Sequence, residues 1–163
     1  MANDMLVKLY DLPDFTKVFD RIKQGGYRLQ RAHPCDRNRV IEEVRAHFPY
    51  WVNECEAAFS KENPSIYIAV KDHEMVGFGC YNATAKGFFG PVGVWEEHRG
   101  HAIGMGILAK CMQALESEGY VYAIIGWTEL LEYYEKACNA ITIPDSFPGG
   151  YGRMIALDPH KAE

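Results

Sequence analysis

The chain has 163 residues, 48% hydrophobic and 24% charged, which suits one globular domain with one sizeable core. A net charge of -5 with no basic block leaves no footprint for nucleic acid, while mild acidity favours cationic partners. No apolar run reaches the roughly 18 residues of a membrane helix, and the opening MANDMLVKLY is not a signal peptide. Five scattered cysteines without C-x-x-C spacing suit a reducing cytoplasm and argue against both a disulfide framework and a structural zinc, so no metal is expected.

Residues 14–24 read as a short helix with Phe15, Val18, Phe19 and Ile22 on one side and Gly25-Gly26 as its stop. Residues 27–32 alternate as a strand. Asp36 is placed to cap a helix carrying Val40, Ile41, Val44 and Phe48, which Pro49 ends. Residues 51–59 continue as another helix. Residues 65–70 and 75–81 are strands around the turn Lys71-Asp72-His73-Glu74, a hairpin. There is no internal repeat, low-complexity tract or interdomain linker.

The stretch 87–108 is the most informative. Val92 and Val94 alternate with small residues as a strand does, a charged turn follows, and Ile107, Leu108, Cys111, Met112 and Leu115 form one helical face. A strand, a glycine-containing turn and a helix present unpaired backbone N–H groups and a positive dipole end to a phosphate. The ATP pattern G-x-x-x-x-G-K-[ST] and the dinucleotide pattern G-x-G-x-x-G are both absent. Arg99-Gly100-His101-Ala102-Ile103-Gly104 instead matches R-x-x-(G/A)-x-G. Beyond it, Glu118-Gly119 stops the helix, 120–125 read as a buried strand, 129–138 as a helix, and 153–157 as a last strand.

With that turn, the strand before it and the helix after it, the chain resembles the GNAT superfamily of acyl-CoA-dependent N-acetyltransferases over roughly residues 27–157. Tyr134-Glu135-Lys136-Ala137-Cys138-Asn139 resembles the downstream Y-E-K-x-G-F segment of that family, without its Gly-Phe end. Glu96 replaces the usual proline, Ala102 stands where a glycine is common, and Trp127 replaces an asparagine, so cofactor contacts around Trp127 do not carry over. Alanine is tolerable at 102 provided φ stays negative there.

The resemblance implies an α/β (α+β) GNAT fold: a mixed, mostly antiparallel central sheet flanked by helices. It divides the chain into an N-terminal extension, 1–26, packed on an acetyltransferase domain, 27–163. It also implies acetyl-CoA as co-substrate, held by Val92, Gly93 and Val94 along the pantetheine arm and by Arg99, Gly100, His101, Ala102, Ile103, Gly104, Met105 and Gly106 at the diphosphate. Val92 and Val94 also suit core packing, and Arg99 also reads as a solvated helix-start residue.

By the same resemblance, Tyr134 is the general acid, with Tyr133 the alternative one residue out of register. The base is open among Glu54, Glu56 and a bound water; an amine of pKa near 10 is only about one part in a thousand neutral at pH 7, so an acceptor for its proton is required. His98 and His101 lie too near the cofactor's distal end to act on the acyl group. Trp51, Tyr81, Phe147 and Tyr151 are the expected substrate-binding residues for a small-molecule or peptide amine, the loop 144–151 serving either as substrate wall or plain connection. The competing reading is a non-catalytic acyl-CoA-binding sensor or scaffold. A homodimer stays open.

Overall fold

Met5, Val7 and Leu9 alternate with Leu6 and Lys8, a period of two that suits a strand with one face in a core. In the computed structural model, which describes residues 1–155, this is strand β1 (Asn3–Lys8). Met5 and Val7 are fully buried. The sheet runs β2 (Arg28–Arg31), β3 (Ile66–Lys71), β4 (Glu74–Tyr81), β5 (Phe88–Val94), β6 (Tyr122–Thr128), β1 and β7 (Ile141–Thr142). Among the described residues only β5 and β6 pair in parallel; the other pairings are antiparallel, as expected of the mixed sheet.

Helices cover both faces. On one, α2 (Arg37–His47) and α3 (Val52–Phe59) bury Val40, Val44, Cys55 and Ala58 against Ile66, Phe78 and Cys80. On the other, α4 (Ile103–Ser117) sets Ile107, Met112 and Leu115 against Met5, Val76 and Ile125. Helix α1 (Thr16–Gln24) adds Ile22 to this second core, and α5 (Leu131–Cys138) adds Tyr134 and Ala137.

Three expectations change. Segment 1–26 is more than an addition to a finished domain: β1 sits inside the sheet, and Ile22 packs where Gly106 leaves room. Asp36 stands at the N-cap of α2 but makes no side-chain capping bond. The last strand does not form over 153–155; Gly149–Arg153 is a 3-10 turn, and residues 156 and 157 lie outside the described residues. Gly149, Gly150 and Gly152 offer no side chains to a pleated surface, and β1 already occupies the place beside β6.

The sheet opens between its two parallel strands. β5 and β6 pair only at Phe88–Ile124 and Phe89–Ile125, then diverge. Asn3 faces Thr128 and Met5 faces Ile125, so Asp4 opposes both Gly126 and Trp127, a bulge in β6. The Trp127 N–H donates to Asp4 Oδ1 at 2.8 Å, holding that residue at φ 47°. Asp4 is 9% exposed, and its own N–H donates to the Ser146 hydroxyl at 2.8 Å. Asp4 thus ties β6 to β1 through its carboxylate and the loop at Ser146 to β1 through its backbone N–H.

Candidate active site

The divergence of β5 from β6 leaves a cleft of about 660 Å³. Val92, Phe89 and Pro91 form one wall, Ile125 and Trp127 the other, and Trp51, Glu54, Tyr134 and Tyr151 close on it from three further segments. On β5, Trp95 N–H donates to Val76 C=O on the β4 side. Alternation along a strand therefore turns the backbone groups of Val92 and Val94 to the open edge. The Val94 carbonyl there accepts from Arg99 Nε at 3.3 Å. Gly93 faces the other way; a Cβ on it would stand 2.6 Å from the Phe48 ring.

The turn after β5 leads into α4, whose first closing bond runs from Gly106 N–H to Ala102 C=O at 3.0 Å. The N–H groups of Ile103, Gly104 and Met105 come before it and have no partner within the helix. Gly104 is open: a Cβ would meet only Val94 Cγ2, at 3.9 Å. Nothing inside the fold demands a glycine there, and its absent side chain leaves room for a group to approach the backbone from outside. Gly100, at φ 86°, has nothing within 4 Å of where its Cβ would be, and its carbonyl accepts from Arg21 Nη2 at 2.7 Å. Arg21 and Arg99 bring two cations to this turn; His101 is exposed beside the Tyr27 ring. Free donors, a dipole end and open backbone fit a diphosphate.

Two positions of the turn differ from expectation. Ala102 has φ 62° and ψ 16°, left-handed, so the condition set for its methyl fails. The turn must reverse there to start the helix, and alanine bears a penalty of about 1–2 kcal/mol. Ala102→Gly relieves it against a gain in unfolded-state entropy that costs about 0.4–1 kcal/mol of stability, and is expected to raise stability by about 0.5–1 kcal/mol in denaturant unfolding. A lowered midpoint would contradict the left-handed turn. Gly106 is no ligand position: its N–H is bonded, and a Cβ would stand 2.2 Å from Ile22 Cδ1 and 2.8 Å from Leu29 Cδ1. It is a packing glycine.

Tyr134 lines the cleft at 6% exposure, its ring edge-on to Phe89 at 6.5 Å and to Tyr133 at 5.1 Å. Burial pushes its hydroxyl well above the ordinary value near 10, so it stays a proton-bearing donor at neutral pH. Glu54, from the first turn of α3, lines the same cleft, and its Oε2 is buried without a hydrogen-bond partner among the described residues. An unpaired carboxylate oxygen in a cleft is a place for a donor to come. Trp51 stacks on Phe48 at 5.0 Å and lines the cleft. Tyr151 lines it too, with its hydroxyl pushed up to about 12, first by burial and then by the charge of Asp4.

Tyr81 is not in the cleft. Register puts it on the α4 face, 1% exposed, where its hydroxyl accepts from Arg31. Phe147 does not line the cleft; its ring lies 6.4 Å from that of Trp127, which does. The structure also adds Trp127, Tyr50 and, indirectly, Asp4. The alternation of Met5, Val7 and Leu9 was the available signal for β1, and through it for Asp4. Among the described residues there is no group of three or more metal-ligating side chains, and no helix long and apolar enough to cross a membrane.

Comparison with known proteins agrees with the fold. No curated protein matches the chain. Solved structures do, at identities that speak for the fold alone. A GCN5-related glucosamine N-acetyltransferase region of a fungal multi-domain β-N-acetylglucosaminidase superposes with TM-score 0.73 at 19% identity, over 87% of this chain and 20% of that one. A GCN5-related N-acetyltransferase from Sphaerobacter thermophilus gives TM-score 0.64 at 18% identity, over 87% of this chain and 48% of that one. An aminoglycoside acetyltransferase from an uncultured soil metagenomic sample gives TM-score 0.51 at 10% identity, over 69% and 85%. The chain thus spans less than half the length of the first two. The model of the Acetyltransferase (GNAT) family matches residues 28–140, most of the sheet and the whole phosphate-type turn. The chain belongs to the GNAT acetyltransferase family.

Proposed function

We propose that this protein transfers an acetyl group from acetyl-CoA to a primary amine by direct attack within a ternary complex. The observation that carries the reading is the single cleft that brings Tyr134, the unpaired Glu54 carboxylate and the open edge of β5 together. The free N–H groups of Ile103, Gly104 and Met105, with Arg99 and Arg21 nearby, would take the diphosphate. The edge groups of Val92 and Val94 would take the amides of the pantetheine arm as an added strand. Acetyl-CoA supplies an already activated thioester, so the protein's main work is positioning.

Glu54 draws the ammonium form of the amine into the cleft and accepts its proton, directly or through water. Aromatic faces at Trp51, Trp127 and Tyr151 suit the same cation. Tyr134, held protonated by its burial, donates to the sulfur as it leaves with negative charge. Stabilising that charge in a site walled by aromatic rings is worth more than in water.

Glu54→Gln keeps the shape and removes the base. It is expected to lower kcat/KM for the best acceptor by about 10²-fold, most strongly at pH 6–7 where the neutral amine is scarcest. The assay is CoA release across a pH series. If Glu54→Gln and Trp51→Ala both leave kcat/KM unchanged, the amine binds elsewhere.

A further inference from the structure

The cleft continues into a second, smaller pocket of about 360 Å³. Asn53, Glu54, Thr84, Tyr151 and Met154 line both and form the waist between them. Tyr134 lies on the larger side only, whereas the far side of the waist is lined by Ala57, Ala83, Ala85, Phe88 and Gly150. Among the described residues Glu54 is the one charged side chain lining either space; no Lys, Arg or His lines them.

Resting on the acetyl-transfer reading above, we propose that the smaller pocket receives the body of the acceptor, and that this acceptor is a primary amine on an apolar or aromatic body, without an anionic group or a second cation. The waist sets the geometry. An ammonium at Glu54 faces the Tyr134 side, and whatever the amine is attached to extends past Tyr151 into the second space. One carboxylate matches one ammonium. A carboxylate or phosphate on the acceptor would meet no cation among the described lining residues and would be repelled by Glu54. A second ammonium would likewise enter without a counter-charge. The three alanines leave room for a ring, and Phe88 offers it an aromatic neighbour. The volume lies in the range of small-ligand sites. Tyr151, with its hydroxyl pushed up to about 12, adds hydrogen bonding at the waist and no charge.

The test is CoA release by the full chain with 2-phenylethylamine, phenylalanine, spermidine and glucosamine. Phenylalanine carries the same ring with a carboxylate; spermidine adds cations; glucosamine replaces the apolar body with hydroxyls. Phenylethylamine is expected to exceed each of the others in kcat/KM by about 100-fold or more, the scale set by leaving a charge or polar group unpaired. Ala85→Trp, at an exposed loop position, narrows the second pocket without touching the core. It should reduce the kcat/KM ratio of phenylethylamine to ethylamine by about tenfold or more.

Turnover of glucosamine, spermidine or phenylalanine at or above the phenylethylamine rate overturns this proposal and leaves acetyl transfer standing. So does an Ala85→Trp ratio equal to that of the wild type. If no amine releases CoA, the transfer reading falls, and calorimetry of phenylethylamine with CoA-saturated protein decides the pocket separately. Binding that Ala85→Trp weakens supports it; no binding overturns it.

Discussion

Tyr134→Phe is expected to lower kcat by about 10²–10⁴-fold, the usual size of an acid–base contribution. The ring stays: its contacts with Phe89 and Tyr133 involve faces and edges, and the substitution removes one oxygen. The fold and the shape of the cleft are therefore preserved. The lost donor matters chiefly when charge gathers on the leaving sulfur, so acetyl-CoA affinity should hold while kcat and kcat/KM fall together. Burial gives the direction of the pH dependence. A phenol raised above its ordinary value remains protonated through the physiological range, so Tyr134 itself should impose no falling alkaline limb below about pH 10. A near wild-type kcat in Tyr134→Phe, measured where chemistry limits the rate, would return the residue to the core.

Gly104→Glu should weaken acetyl-CoA binding by about tenfold or more while the protein stays folded. The second half of that statement follows from the local structure. A Cβ at 104 has open space, with Val94 Cγ2 as its nearest neighbour at 3.9 Å. A carboxylate in the first turn of α4 also meets the positive end of the helix dipole, which is worth about 0.3–1 kcal/mol in its favour. The same carboxylate would occupy the free N–H groups and repel a diphosphate. Loss of affinity without loss of stability separates a ligand-facing glycine from a packing one. Gly106, two residues on, is the contrast, with Ile22 and Leu29 where its side chain would be. Calorimetry of folded Gly104→Glu with unchanged affinity would remove the diphosphate from this turn.

Much of the fold was legible because its signals are local. The stripe Ile107, Leu108, Cys111, Met112 and Leu115 does form the buried face of α4, and Tyr134 does reach the cleft from α5. The hairpin at 71–74 closes through Asp72 and His73, both left-handed at φ 51° and 64°. What escaped depends on partners distant in sequence. β1 gains its place only through β6 and β7, and Asp4 gains its role only from a bulge more than a hundred residues away. Tyr81 lies away from the expected site because strand alternation says which residues share a face and not which face meets the cleft. Nor does a motif say whether a glycine faces open space, as at 104, or a neighbouring helix, as at 106. Ala102 shows the same limit in reverse: its left-handed φ belongs to the turn and not to the residue type.

On the acetyl-transfer reading proposed above, acetyl-CoA lies along the open edge of β5 and ends at the start of α4. Amide hydrogen exchange of the full chain, resolved by residue with and without saturating acetyl-CoA, tests this most directly. New protection is expected at Val92 and Val94 and at Ile103, Gly104 and Met105, whose N–H groups lie outside the β4–β5 ladder and the bonds of α4. Gly93 and Gly106 should change far less. Protection confined to other segments, or none at these five amides under saturation, would contradict it.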